Sequence, residues 1–232
     1  MKYTLIGKTV PTVEVTLNKG ESMYSQKGGM AWQTEGITMQ TNARGGIMKS
    51  IGRMFSGESI FMNTYTATID EAKVAFATTV PGDIVAISME KHPTGFMLQK
   101  GAFLCAEPSV DIQIAFTKKF SSGFFGGEGF ILQKATGKGT LFLEVDGDPI
   151  IKKLEAGEVL KVDTGNVVGF ETTVSYEVEM VKGLGNILLG GEGLFLTKLT
   201  GPGKVIIQSQ NFGDFAGKVG NNFNAKKIKF ME

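Results

Sequence analysis

Three glutamates occupy one place in a recurring motif: Glu58, Glu128 and Glu192, each directly after a glycine, Gly57, Gly127 and Gly191. Brought to a common axis, three equivalent carboxylates would supply the oxygen ligands that a hard divalent cation requires. The same residue has a plainer use at a tight glycine turn, where a carboxylate accepts backbone N–H groups that the reversal leaves unpaired. Repetition then follows from duplication of a structural device. The expectation is therefore three structural repeat turns and no bound metal.

Other chemistry is thinly represented. His92 is the single histidine, in Lys91-His92-Pro93-Thr94, which reads as an exposed turn before a strand. A catalytic base needs both ring nitrogens held, and such a turn is a poor mount for one. One histidine also excludes the multi-histidine metal centre used by cupins. The lone Cys105, between Leu104 and Ala106, excludes an internal disulfide and reads as a small buried hydrophobe. The chain has no Gly-x-Ser-x-Gly nucleophile turn and no phosphate loop, and Gly183-Leu184-Gly185-Asn186 lacks the third glycine and the βαβ setting of a dinucleotide site. No enzyme activity and no cofactor are expected. With 24 basic and 23 acidic side chains the formal net charge is +1, so no general field draws the chain onto DNA.

The elements that carry these residues follow from an internal repeat. Phe55-Ser56-Gly57-Glu58-Ser59-Ile60-Phe61-Met62-Asn63 returns as Phe125-Gly126-Gly127-Glu128-Gly129-Phe130-Ile131-Leu132-Gln133, and again as Leu189-Gly190-Gly191-Glu192-Gly193-Leu194-Phe195-Leu196-Thr197. Counted from each motif glycine, the fifth residue is apolar, the sixth polar (Asn63, Gln133, Thr197) and the ninth threonine. Gly137-Lys138-Gly139 and Gly201-Pro202-Gly203 then lead into new strands, a pattern that predicts hairpins. The first copy has Thr68-Ile69-Asp70-Glu71-Ala72 at that place and predicts a wider hairpin. A second turn opens each copy, at Leu17-Asn18-Lys19-Gly20-Glu21, Val80-Pro81-Gly82-Asp83 and Leu154-Glu155-Ala156-Gly157-Glu158.

Thirty-two glycines among 232 residues suit many short strands with tight reversals. With 42% hydrophobic residues a packed core is available. The reading is an all-β chain of three units, residues 1–80, 81–150 and 151–210, with a loosely packed C-terminal tail at 211–232. No linker separates the units, so they are expected to pack as one compact body with a pseudo-threefold arrangement, a form compatible with homo-oligomerisation.

One segment differs from its counterparts. In Arg44-Gly45-Gly46-Ile47-Met48-Lys49-Ser50-Ile51-Gly52-Arg53-Met54-Phe55, the apolar Ile47, Ile51, Met54 and Phe55 share a helical face, and both arginines of the chain lie here. Such an element either caps the open end of a sandwich or contacts a partner or membrane surface through Ile47, Met48, Ile51, Arg53, Met54 and Phe55. The N-terminus lacks a secretory signal pattern and no run is long enough to span a bilayer, which predicts a cytoplasmic protein, with peripheral membrane contact as the alternative to a protein partner.

Taken together, Pro11-Thr12-Val13-Glu14-Val15, the Gly57-Glu58-Ser59 copy with Asn63-Thr64-Tyr65-Thr66-Ala67, Pro81-Gly82-Asp83-Ile84, Gly127-Glu128-Gly129, Val162-Asp163-Thr164-Gly165, Gly191-Glu192-Gly193-Leu194 and Gly201-Pro202-Gly203 resemble the family named for altered inheritance of mitochondria protein 24 (AIM24). The resemblance covers almost the whole chain. It implies a fold similar to the tryptophan RNA-binding attenuation protein (TRAP), a double-stranded β-helix or jelly-roll-like sandwich, here triplicated. Two positions depart from the family pattern: Asn166 stands where His is frequent, and Ser209-Gln210 where Thr-Arg is frequent. The bacterial members are uncharacterised, and the resemblance implies no enzymatic activity. The functional expectation is a non-catalytic interaction or scaffold protein; the alternative, by fold analogy, is a small-molecule or RNA-binding module.

Overall fold

The structure, a computed structural model, describes residues 1–43, 61–118, 130–180 and 195–217, together with Val219. It is built from antiparallel strands, and residues 212–217 form a short helical turn. An N-terminal strand, β1 (Lys2–Ile6), precedes β2 (Thr12–Leu17), β3 (Ser22–Gln26), β4 (Met30–Gln33), β5 (Ile37–Ala43), β6 (Phe61–Ala67) and β7 (Ala72–Ala77). Then come β8 (Gly82–Ser88), β9 (Phe96–Gln99), β10 (Phe103–Ala106), β11 (Val110–Lys118), β12 (Phe130–Gly137) and β13 (Thr140–Asp146). The last are β14 (Pro149–Leu154), β15 (Val159–Asp163), β16 (Val167–Glu171), β17 (Ser175–Met180), β18 (Phe195–Thr200) and β19 (Gly203–Gln208).

These strands form four sheets, ordered β1-β2-β7-β4, β5-β6-β3-β10-β13-β8, β11-β12-β9-β16-β19-β14 and β15-β18-β17. The pairing scheme returns every six strands. β7 lies between β2 and β4, β13 between β8 and β10, and β19 between β14 and β16; likewise β6, β12 and β18 each lie between two strands of their own stretch. Register returns as well. Met23 faces Tyr65, Phe96 faces Ala135 and Leu160 faces Leu199, three pairs at matching motif positions. A register shift falls at Ala31 in β4, at Leu104 in β10 and at Val168 in β16, each one residue before the residue paired to Ala75, Phe142 or Ile206. A bulge adds one residue to one strand and bends it, so three bulges at one position bend three strands alike.

The predicted hairpins are not formed. β12 pairs with β11 and β9, whereas β13 pairs with β10 and β8, and β6–β7 and β18–β19 are divided between sheets in the same way. Each tight turn is therefore a corner that carries the chain across a sandwich. The reason is occupancy: β6, β12 and β18 are already flanked on both sides, so the following strand has no edge to pair with. Gly137 shows what the corner demands, with φ of +102° and the Ser109 carbonyl oxygen where a Cβ would stand. The opening turns also divide differently from expectation. Residues 17–21 and 154–158 both connect the first two strands of their stretch, but Val80-Pro81-Gly82-Asp83 leads into β8, the first strand of its own. Residues 212–217, expected as loose tail, are helical, and the Phe212 N–H donates to Asp146 Oδ2 at 3.0 Å.

Three buried clusters fill the spaces between successive sheets. Val15, Phe76, Tyr65 and Phe142 lie between the first and second sheets; Leu98, Phe103, Leu141 and Ile206 between the second and third; Phe130, Phe170, Val162 and Leu199 between the third and fourth. The fourth sheet shows the alternation of a one-sided antiparallel sheet. Leu160, Val162, Tyr176 and Val178 pack inward, while Lys161 bonds Glu179 at 2.8 Å and Lys198 bonds Glu177 at 3.0 Å on the outer face.

Candidate functional site at the ends of three strand pairs

The residues that the sequence singles out for contact and those of the structural repeat turns fall in three connections: β5 to β6, β11 to β12, and β17 to β18. Ile47, Met48, Ile51, Arg53, Met54, Phe55, Gly57 and Glu58 belong to the first, Gly127 and Glu128 to the second, and Gly191 and Glu192 to the third; all lie outside the described residues. The strands that hold these connections are described. Ala43 faces Phe61, Lys118 faces Phe130 and Met180 faces Phe195, so each connection joins the ends of a directly paired antiparallel couple.

Just inside those ends lies a layer of polar side chains. Asn63, Gln133 and Thr197, the polar sixth residues of the motif, are all buried, at 9%, 0% and 0% exposure. Polarity in the sequence suggests a solvent face; the strands turn these side chains inward instead. Burial obliges them to find partners. Asn63 Oδ1 accepts from the Thr41 hydroxyl at 2.9 Å, and Thr197 donates to Thr164 Oγ1 at 3.2 Å, which in turn donates to the Phe195 carbonyl at 2.9 Å. For Gln133, neither the amide nitrogen nor the amide oxygen has a partner among the described residues. Residue type allows this layer without predicting it, because only the pairing register fixes which face each residue takes.

The histidine and the cysteine of the chain are both packed against neighbouring side chains. His92 is half-buried rather than exposed as expected. Its Nδ1 lies 3.5 Å from Glu171 Oε1 and its ring meets Phe96 edge-on at 5.3 Å. Glu171 also accepts the Lys204 N–H at 2.8 Å, which fixes it as a clasp between strands. Cys105 is fully buried, and desolvation pushes its thiol well above the ordinary range, which suppresses the thiolate. Among the described residues no three histidine, cysteine or acidic side chains converge as metal ligands. None of their helices is long and apolar enough to cross a membrane.

Two carboxylates escape a reading by motif. Glu144 and Asp146 lie on β13, and burial raises both above ordinary carboxylate values. The Thr79 backbone N–H donates to Glu144 at 3.0 Å, and the Gln208 amide oxygen accepts the Asp146 N–H at 3.0 Å. Asn166, at one of the departures from the family pattern, donates to the Gln208 carbonyl at 2.8 Å; Ser209, at the other, accepts the Asp148 N–H at 2.8 Å. Both positions thus fasten the chain to itself.

The family described as mitochondrial biogenesis AIM24 matches over residues 3–210. The uncharacterised protein M6_Spy0233 of Streptococcus pyogenes serotype M6 is 33% identical over 216 residues, which cover 89% of this chain and 84% of that protein. The crystal structure of protein SPYM3_0169 from Streptococcus pyogenes superposes with a TM-score of 0.77 at 29% identity, over 95% of this chain and 99% of that one. The pairing scheme described above and this near-complete coverage agree, and the chain belongs to the AIM24 family.

Proposed function

We propose that the chain is a non-catalytic interaction or scaffold protein, built from three TRAP-like β-sandwich units at residues 1–80, 81–150 and 151–210 with a C-terminal segment at 211–232. The recurring strand order, register and bulges support three copies of one unit. A closed pseudo-threefold body would join β15 to β4; since these are edges of different sheets, we read the units as three consecutive members of a stack whose ends stay open.

The observation that carries the contact role is the mounting of the segment from Ile47 to Phe55. It connects β5, where Met39 is exposed, to β6, whose Met62, Tyr65 and Ala67 are buried between neighbouring strands. The sequence between these two strands places four apolar residues at helical spacing beside both arginines, the pattern of an element that docks at an anionic lipid surface. In this reading the protein works from the cytoplasm, peripheral to a membrane. The competing RNA-binding reading finds less support, because Lys73, Lys161 and Lys198 are each bonded to a carboxylate.

Flotation with anionic phospholipid vesicles tests the reading. The wild-type chain is expected to float with the vesicles, and Ile51→Glu with Met54→Glu to abolish flotation with an unchanged unfolding midpoint. A wild-type chain that stays at the bottom of the gradient, or a double variant that unfolds, would remove it.

A further inference from the structure

Two junctions inside the chain use one mode of strand pairing. β3 pairs antiparallel with β10, Ser25 facing Cys105 and Tyr24 facing Ala106. β9 pairs antiparallel with β16, Leu98 facing Gly169 and Met97 facing Phe170. Each junction joins the second strand of one six-strand stretch to the third strand of the next, and each creates a six-stranded sheet from two half-sheets. The third such pair would be β15, second strand of the last stretch, and β4, third strand of the first. Both are edge strands, and among the described residues nothing pairs with the outer side of either.

Burial follows the same division. Cys105 and Gly169, the junction residues of β10 and β16, are buried, whereas Trp32 at the same position of β4 is 40% exposed. On the other side Tyr24 and Met97 are buried, whereas Lys161 at the same position of β15 is exposed. Side-chain direction adds a second argument. Cys105 and its cross-strand partner Phe142 belong to the cluster of the preceding stretch, and Gly169 approaches the ring of Phe96, also in the preceding stretch. Ile206 faces Gly169 there, so a large residue accompanies a small one at both junctions. In β4 the sizes are exchanged, Trp32 facing Ala75, and the indole stands over the outer face where a preceding stretch would lie. Within the chain Trp32 Nε1 donates to Glu14 Oε2 at 3.3 Å.

From these observations we infer that the outer edge of β4 takes β15 of a second copy of this chain, in the pairing already used at the two internal junctions. Transferring the internal register places Val162 opposite Trp32, Lys161 opposite Gln33 and Leu160 opposite Thr34 of the neighbouring copy. The half-sheets β17-β18-β15 and β4-β7-β2-β1 then become one continuous sheet across two molecules. Main-chain hydrogen bonds satisfy both edges, and the exposed indole becomes the buried aromatic anchor of the contact. The contact is heterologous: β15 of each copy meets β4 of the next, so it continues head to tail until a ring closes. β1 covers the outer edge of β2, leaving β4 as the open edge of its sheet. This inference concerns a surface different from the segment Ile47 to Phe55 and does not depend on the scaffold reading.

Co-expressed variants, each with one cysteine introduced in addition to the buried Cys105, test it. Gln33→Cys in one chain and Lys161→Cys in the other would bring two thiols face to face across neighbouring strands, within reach of a disulfide. The expected product under mild oxidation is a covalent species of two chains from the mixture and no covalent product from either variant alone. Wild-type chain in light scattering should have the mass of two or more whole chains, and Trp32→Glu should reduce it to a single chain while Trp32→Phe retains the assembly. A single-chain wild type overturns the inference. So does a covalent product from one variant alone, which would mean a symmetric contact. A one-chain crosslink in the Gln33→Cys with Lys161→Cys double variant, with none in the mixture, would mean internal closure and overturns it equally.

Discussion

Thr79 donates both its backbone N–H and its hydroxyl to the same carboxylate oxygen of Glu144, tying the link between β7 and β8 to the middle of β13. Desolvation nevertheless holds Glu144 above its ordinary value of 4.5, the Thr79 bonds opposing it in part, and holds Asp146 above 3.8. A carboxyl whose folded value is raised binds its proton more tightly in the folded chain. Its contribution is fully present below the ordinary value and is lost as pH rises through the folded one. Glu14 has the opposite sign: the hydrogen bond from Lys73 lowers it, so its contribution is present above 4.5 and lost as pH falls through its lowered folded value. Glu144→Gln should therefore gain stability relative to wild type as pH rises from about 4.5 toward neutrality. Unfolding midpoints across that range provide the measurement, and a difference that stays flat with pH would show that Glu144 is not desolvated.

The buried amide of Gln133 gives a second prediction. An unsatisfied polar group in the interior costs about 1–3 kcal/mol, so Gln133→Met, which keeps length and removes both polar atoms, should stabilise the fold by an amount of that order. Asn63→Leu should behave in the opposite direction, because it leaves the Thr41 hydroxyl without its acceptor. Denaturant titration of the two variants decides the matter. Loss of stability in Gln133→Met would mean that the amide is satisfied in the folded protein.

The all-β class and its short glycine-bounded strands were legible in the sequence because alternation and glycine turns are local signals. Which strands pair was not. A tight Gly-Lys-Gly turn between two strands looks the same whether it folds a hairpin or turns a corner, and the choice is made by β9 and β11, which occupy both edges of β12. The polar layer was hidden for a related reason, since the face of Gln133 depends on its pairing with Leu98 and Ile114. Trp32 is a third case. As a lone tryptophan it belongs to no motif, and only comparison with the buried Cys105 and Gly169 at the same strand position sets its exposure apart. A turn glutamate that accepts a backbone N–H is found at Glu21 and Glu158, which the glutamate argument did not select, whereas Glu58, Glu128 and Glu192 lie outside the described residues.

The corner itself can be tested. Gly137→Ala forces a side chain into positive φ and toward the Ser109 carbonyl, a combination that should cost about 1–3 kcal/mol. Gly101→Ala serves as the control, because a Cβ there meets open space, and it should change stability by less than about 0.5 kcal/mol. Equal effects from the two substitutions would remove the argument that the corner at Gly137 selects glycine.

The last prediction concerns the opening turns. Glu21 Oε2 accepts the Asn18 N–H at 2.8 Å, and Glu158 Oε2 accepts the Glu155 N–H at 2.8 Å, with the carbonyls of Asn18 and Glu155 accepting the N–H of Glu21 and Glu158 in return. One residue type thus closes the same four-residue loop in the first and third stretches. In the second stretch Glu90 accepts the Ser88 hydroxyl at 2.7 Å and the Gly139 N–H at 2.8 Å, linking the loop to a corner instead. Both turn carboxylates are solvent-exposed, so each bond should contribute about 1 kcal/mol. Glu158→Ala and Glu21→Ala should each cost that much, and Glu158→Gln, which keeps the acceptor oxygen, should cost less. Because the two turns share no hydrogen-bond partner among the described residues, the double variant should lose the sum of the single losses. A loss in Glu158→Gln equal to that in Glu158→Ala would show that charge, rather than the closing hydrogen bond, is what the turn requires.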